Sequence, residues 1–570
     1  MEFLHKLFNH APTPKKKVSL AWVSDLGGMD DISAIEFSTQ KISEDFKKNV
    51  FQDELNLDAL FSIDEKTHSI VERITAHFVN IENISVELEM RISNAVFLYH
   101  RQLFLIYFAL IENYVQLDQR SLHIFLARAF RNATQMIKWR YYNYQNAPAN
   151  AWLQISQLYK IAEQQSLLSA KIQAYADQEP ISLSTAYIHV CMLGTLESTS
   201  LKCQQIELVS QMLLAWTSKI TIDSVYDPEQ HLFYVDTACN SPARRIRNFK
   251  PSLSYRYWHF DGVNSKIELC MSLIEYKISP KQVQMKDFIS NRYALTTFSV
   301  LHAEWSRVDY KRQRRSEERS KNIVSANVIF GFSNICNHLR QNEQMKARRG
   351  EKMYQGDKSL EERLASHSLS RNAPNIIYLN SDTANATIVD QSSRGLGLQA
   401  VKQVHELSLG MIVGISAKDQ RYNLKLGIVR SVRSLGNNQL HIGVELLSNL
   451  SFCAELENLS LSSRLSNNNQ LSTTNDSFAN TGFGNTGFDN SGNFMSSSFG
   501  SNSERFSCLY LHKEESLSTQ ETLIIPKLQY NKNDIFKANL MGEEVMIRFT
   551  KSFENDANWV RVTFTTEINK

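Results

Sequence analysis

The chain has 570 residues, 42% of them hydrophobic, and 62 Lys and Arg against 59 Asp and Glu leave a formal net charge of +3. That length allows three or four domains with real cores, and so small a charge removes any global electrostatic case for nucleic acid or an anionic membrane, so a basic site has to be local. Seven scattered cysteines (Cys191, Cys203, Cys239, Cys270, Cys336, Cys453 and Cys508) form no C-x-x-C pair, which fits a reducing compartment and argues against a disulfide framework or a zinc site.

Residues 1–49 form an N-terminal segment. Phe3, Leu4, Leu7 and Phe8 have helical spacing, but His5 and Lys6 interrupt the run, so it is not a signal peptide. A terminal helix docked on the core and a short amphipathic surface helix both fit. Residues 50–220 are rich in helix formers, nearly free of Gly and Pro, and apolar at three- and four-residue steps, which predicts an all-α helical bundle or helical-repeat region. Its most apolar run, LFLIYFALI at 103–111, is too short to span a bilayer and is flanked by His100, Arg101 and Glu112, so a buried helix is expected and no transmembrane segment. The cluster Trp139, Arg140, Tyr141, Tyr142 and Tyr144 suits packing at a helix end, or stacking on bases or partner side chains.

Residues 221–305 mix short strand-like runs and turn residues with the helix-like KIELCMSLIEYKI, and are expected to form a mixed α/β bridging subdomain. Arg244, Arg245, Arg247 and Lys250 make a basic knot there, which is either an anion site or a solvated loop.

The segment KRQRRSEERSK at 311–321 places Arg315 and Arg319 in an R-x-x-x-R spacing just ahead of the strand-like NIVSANVIF. At 390–395, DQSSRG carries Asp390, Ser392 and Gly395 as D-x-S-x-x-G directly after the strand-like NATIV. A guanidinium matches the O6 and N7 acceptors of guanine in a bidentate fork and also pairs with phosphate. A carboxylate with a hydroxyl takes up the N–H donors on the opposite edge of the same base. The two segments together therefore suit a guanine nucleotide. Three more strand-like runs follow, LGMIVGIS, LKLGIVRSV and QLHIGVELL, with an Asn437-Asn438 turn signal between the last two.

These residues, in this order and ending on that G-V-E-L-L strand, resemble the PilZ domain, the bacterial receptor module for cyclic di-GMP, over about residues 312–450. The resemblance implies a six-stranded antiparallel β-barrel within 306–450. It implies cyclic di-GMP as the ligand, bound by Arg315, Arg319, Asp390, Ser392 and Gly395, with Arg312, Arg314 and Arg394 as further phosphate or stacking contacts. Between the two motifs a polar, charged stretch at about 338–375 is expected to be a looped-out or partly helical insertion. Its Lys346, Arg348 and Arg349 fit a solvated face, or added phosphate contacts.

After the barrel, residues 451–504 are expected to be a low-complexity linker dominated by Ser, Asn, Thr and Gly, with a repeated Asn-Thr-Gly-Phe and evenly spaced phenylalanines; such a composition cannot bury enough surface to order itself. The runs TLIIPKL, EEVMIRF and WVRVTFT predict a small β module at 505–570. The fold class expected is thus multidomain α+β.

No phosphate-binding P-loop, nucleophile elbow, H-E-x-x-H or glycine-rich dinucleotide fingerprint occurs, so neither an enzyme nor a cofactor or metal site is expected. The expectation is a cytoplasmic effector with cyclic di-GMP as ligand and a protein partner engaged through the helical region; motility, pilus or biofilm-type output is implied by the resemblance alone. A structural adaptor whose barrel binds no nucleotide is the alternative, and a nucleic-acid binder is disfavoured because no extended basic groove is evident.

Overall fold

The computed structural model describes residues 21–307, 319–348, 383–458 and 505–568, with short interruptions within these ranges. The chain forms two compact units. The first comprises Met1–Ser316, Lys402–Glu406 and Ser431–Leu440; the second comprises Glu317–Val401, Leu407–Arg430 and His441–Lys570.

In the first unit the helices are α1 (Ala21–Asp25), α2 (Asp31–Lys47), α3 (Leu57–Asn80), α4 (Val86–Glu112), α5 (Gln119–Tyr142) and α6 (Ala151–Gln164). The short strands β1 (Lys171–Ile172) and β2 (Ile181–Ser182) come next, followed by α7 (Leu183–Leu193) and α8 (Cys203–Trp216). A small antiparallel sheet, β3 (Phe233–Asp236), β4 (Arg244–Arg245) and β5 (Tyr255–Trp258), precedes α9 (Asp261–Glu275), α10 (Val283–Ser290) and α11 (Ala294–Trp305). Caps set the starts. Asp30 accepts the Ser33 N–H at 3.0 Å ahead of α2, and Asp118 accepts the Ser121 N–H at 2.9 Å ahead of α5. Along α4, Ile92, Val96, Tyr99, Leu103 and Tyr107 recur every three or four residues and are buried together. This 27-residue helix is long and apolar enough to cross a membrane by length and composition, and half of its most apolar window is buried in the unit.

The three pieces expected at 1–49, 50–220 and 221–305 are one packed body over their described residues. Ile35 of α2, Leu103 of α4, Phe233 and Trp258 of the sheet, and Phe298 and Trp305 of α11 belong to a single core. The later helices join it because their apolar faces find α8: the Trp216 ring meets Phe288 and Phe298 at centroid distances of 5.2 and 6.3 Å. Gln205 also donates from Nε2 to Thr297 Oγ1 at 3.1 Å. Mixed local character had suggested a separate subdomain, but tertiary burial overrides it. Trp139, Tyr141 and Tyr142 are buried and pack inward, with Trp139 4.9 Å from the Phe78 ring. Arg244 and Arg245 form β4, paired to Tyr234 and Phe233.

The second unit holds two closed barrels, except that Ser431–Leu440, the end of one hairpin of the first barrel, is counted with the first unit. The first is built from β6 (Ser320–Phe330), β7 (Thr383–Ser392), β8 (Gly395–Val401), β9 (Ile412–Ala417), β10 (Lys425–Gly436) and β11 (Gln439–Ser448), with neighbours in the order β6-β7-β8-β11-β10-β9 and back to β6. Positive φ at Gly436 (84°) and Asn438 (59°) makes the β10–β11 turn that the asparagines had marked. Between β6 and β7 lies α12 (Phe332–Arg348). The insertion expected from about 338 therefore begins as an ordered helix, whose adjacent Ile335 and Cys336 and, one turn on, Leu339 form a buried stripe. Three apolar residues are too few to stand out from the surrounding charge; the rest of the expected insertion lies outside the described residues.

The second barrel comprises β12 (Ser451–Asn458), β13 (Arg505–Leu511), β14 (Thr522–Pro526), β15 (Ile535–Leu540), β16 (Glu543–Asn555) and β17 (Trp559–Ile568). It corrects two expectations. Residues 451–458, expected as linker, are its first strand, and the small C-terminal module is a six-stranded closed barrel. Leu456, Tyr510, Ile525, Phe536, Ile547 and Val562 share its core. The expected linker at 459–504 lies outside the described residues. A shared apolar layer joins the barrels: Ile412, Leu426, Leu447 and the α12 stripe pack with Cys453, Leu509, Ile524 and Trp559. Trp559 also donates from Nε1 to the Gly410 carbonyl at 3.0 Å.

Candidate ligand-binding site

Asp390 lies near the end of β7, between two irregularities in strand register. Its neighbour on β6 is Lys321, with the register shifting between Lys321 and Val324; its neighbour on β8 is Gly397, with a shift between Ile388 and Asp390. Bulges of this kind re-aim side chains at the rim of a barrel. Here they leave the Asp390 carboxylate lying against Gly397, where a Cβ would stand 2.5 Å from Oδ1 and 2.8 Å from Cγ.

Arg319, the residue just before β6, reaches across 71 positions of sequence to form an ion pair from Nη1 to Asp390 Oδ1. The two side chains are 15% and 24% exposed, so the pair sits at the barrel surface where a ligand has access to both partners. Ser392 Oγ lies 3.4 Å from the Gly395 carbonyl and donates to it. Gly395 is where the chain turns back to start β8. A Cβ there would meet the Val444 carbonyl of β11 at 3.1 Å and Arg319 Nη2 at 3.2 Å, so glycine admits both the neighbouring strand and the guanidinium.

Of the residues expected in a site, the structure brings together Arg319, Asp390, Ser392 and Gly395. Arg394 is exposed at the adjacent turn, its carbonyl accepting the Leu446 N–H at 3.0 Å. Arg312, Arg314 and Arg315 lie outside the described residues. The motif spacing did not flag Gly397, although the Gly395-x-Gly397 alternation beside an acidic strand end was there to be noticed. Neither did it flag β11, whose backbone supports the turn. No group of His, Cys, Asp and Glu able to hold a metal is present among the described residues.

A closed six-stranded barrel with an arginine ahead of its first strand, facing an Asp-x-Ser turn between its second and third strands, defines a PilZ-type receptor barrel. Residues 17–229 match the family described as cyclic-di-GMP receptor FimW, N-terminal domain, and residues 262–451 match cyclic-di-GMP receptor FimW, middle PilZ domain. The chain belongs to the FimW family of cyclic-di-GMP receptors. The second match begins within α9, well ahead of the expected barrel start at 306. No curated protein matches the chain.

Proposed function

We propose that cyclic di-GMP binds the first barrel at the turn between β7 and β8. In this reading Arg319 forks onto the O6 and N7 edge of one guanine, Asp390 and Ser392 accept from its opposite edge, and Gly395 lets the base or its phosphate approach the backbone. Arg315 belongs to the same site, and Arg312, Arg314 and Arg394 supply phosphate or stacking contacts. The observation that carries the reading is the meeting of Arg319 and Asp390 at a surface-accessible pair, from two motifs far apart in sequence. Each partner presents the hydrogen-bonding face that one edge of guanine lacks.

The role is binding and needs no catalytic group or cofactor. The protein acts as a cytoplasmic effector, and ligand binding alters how its helical unit engages a protein partner; a ligand can shift that equilibrium only through differential affinity for two states. Calorimetric titration of the full chain with cyclic di-GMP tests the site. Wild type should saturate, and Arg315→Ala should bind at least about tenfold more weakly, because an arginine contact to guanine or phosphate contributes roughly 1–3 kcal/mol. Unchanged affinity in that variant removes Arg315 from the site, and a wild-type chain that takes up no nucleotide leaves the barrel a structural adaptor.

A further inference from the structure

The two barrels have one topology. Numbering strands from the start of each barrel, the first closes in the order 1-2-3-6-5-4, as β6-β7-β8-β11-β10-β9, and the second closes in the same order, as β12-β13-β14-β17-β16-β15. Many closures of six antiparallel strands are available, so the shared order makes the C-terminal barrel a second barrel of the same type. The place equivalent to the ligand turn, between its second and third strands, is the connection at residues 512–521.

That connection, HKEESLSTQE, has no glycine, and the stretch from 441 to 450 ahead of β12 has no arginine. The arginine and the glycine of the guanine-reading set are missing. In their place stands Glu514, and its carboxylate is occupied: Oε1 accepts from Ser448 Oγ at 2.7 Å and from the Asn449 N–H at 2.8 Å, and Oε2 accepts from Asn449 Nδ2 at 2.7 Å. Ser448 is fully buried and ends β11. The same strand supports the ligand turn of the first barrel, through the Leu446 N–H to the Arg394 carbonyl and through Val444, whose carbonyl abuts Gly395. Only Asn449 and Leu450 separate β11 from β12.

We propose that the C-terminal barrel is a nucleotide-free copy of the first, and that Glu514, in its corresponding turn, is a positioning residue for the ligand site: it grips the end of β11 and thereby fixes the strand on which the Arg394–Gly395 turn rests. The ligand of the second barrel is then the chain itself. In place of arginine and glycine stands an acceptor that takes three donors from Ser448 and Asn449, and the loss of these hydrogen bonds to a carboxylate is what the grip prevents.

This inference rests on the ligand-site reading above, and the test separates the two. In the full-length chain, cyclic di-GMP titration and hydrogen exchange are measured for wild type, Arg319→Ala, Glu514→Ala, Glu514→Gln and the double variant Ser448→Ala/Asn449→Ala. Arg319→Ala should lose all saturable binding. Glu514→Ala should bind roughly three- to tenfold more weakly and exchange faster at 392–398 as well as at 444–449. Glu514→Gln, which keeps an acceptor, should stay within about twofold of wild type. The double variant leaves Glu514 in place and removes two of its three donors, so it should reproduce the loss even if Glu514→Ala does not fold. An Arg319→Ala protein that keeps half the capacity at undiminished affinity means that the second barrel takes nucleotide, which overturns the proposal. Wild-type affinity and wild-type exchange at 392–398 in Glu514→Ala and in the double variant, with Arg319→Ala inactive, overturn the brace alone. Wild-type binding by Arg319→Ala removes the site reading, and the brace with it.

Discussion

The helical unit and the first barrel each set an arginine against an aspartate, and the surroundings give the two pairs opposite uses. In the helical unit, Asp64 is fully buried. It accepts from Arg128 Nη1 at 3.0 Å, from Tyr175 at 3.0 Å, and from Tyr99 and Tyr107. Arg128 lies over the Phe61 and Tyr175 rings at 4.8 and 4.6 Å, and also donates to the Ala174 carbonyl and to Glu65. Both oxygens of the carboxylate accept from several groups, and the guanidinium is held by two carboxylates and a backbone carbonyl and packed against two rings, so the pair is closed to a ligand. In the barrel, Arg319 and Asp390 are both partly exposed at a turn, and a guanine edge can replace either partner without stranding a charge in a dry interior. A closed pair fixes a fold, whereas an open one is available for exchange.

The largest expected effect tests the closed side of this contrast. Arg128→Ala leaves the Asp64 carboxylate buried without its counter-charge, and should cost the helical unit about 3–5 kcal/mol, read as a fall in its denaturant midpoint. Arg319→Ala should shift barrel unfolding by less than about 1 kcal/mol, as expected of a partly exposed pair. Equal losses in the two variants would erase the distinction.

A second difference is titratable. Burial pushes His100 and His189 of the helical unit down to about 3, so both are neutral in the folded state. In the unfolded chain a histidine protonates near pH 6.5, so the unfolded state binds more protons as the pH drops below that value. The stability these residues contribute is complete above about pH 6.5 and is lost as the pH falls toward 3, by about 2 kcal/mol per histidine at pH 5. Six of the seven tryptophans (Trp22, Trp139, Trp152, Trp216, Trp258 and Trp305) lie in this unit, so tryptophan fluorescence follows its unfolding selectively. Denaturant midpoints should fall between pH 7 and pH 5, and less so in a His100→Gln/His189→Gln variant. A midpoint independent of pH over that range would place both histidines in solvent-connected sites.

Sequence carried the first barrel because its signals are local: two motifs beside strands, alternating apolar runs and a turn marked by asparagines. It carried α4 for the same reason, through Ile92, Val96, Tyr99, Leu103 and Tyr107. The second barrel was hidden by distance. Its first strand, SFCAELEN, stands apart from β13, its partner, with residues 459–504 between them, and a short alternating run beside a serine-rich tract gives no sign of what it will pair with. The merging of α9–α11 with the helical core was likewise a matter of which apolar faces meet, which a linear pattern does not contain. In the candidate site, the motif residues can be picked out of the sequence one by one, but the placement of Gly397 opposite Asp390 depends on a cross-strand register that a bulge alters.

That register supplies the finest test of the open pair. Gly397 stands opposite Asp390, and a methyl group added there would fall 2.5 Å from its Oδ1, a separation that real Cβ contacts do not adopt. Its φ is not positive, so alanine meets no backbone objection, and the displaced atoms belong to a side chain at the surface. Gly397→Ala should therefore leave the barrel folded and turn the carboxylate away from the position in which it faces Arg319, weakening cyclic di-GMP binding by roughly tenfold, the worth of one good base contact. Gly427→Ala is the control. Its methyl group would strike the Glu445 carbonyl at 2.7 Å and Val444 Cγ1 at 2.4 Å on β11, so it should cost stability of about 1–3 kcal/mol through overpacking. Differential scanning calorimetry beside nucleotide titration separates the two outcomes. If Gly397→Ala binds as wild type at an unchanged melting temperature, the orientation of Asp390 plays no part in recognition, and the open pair is a surface ion pair like any other.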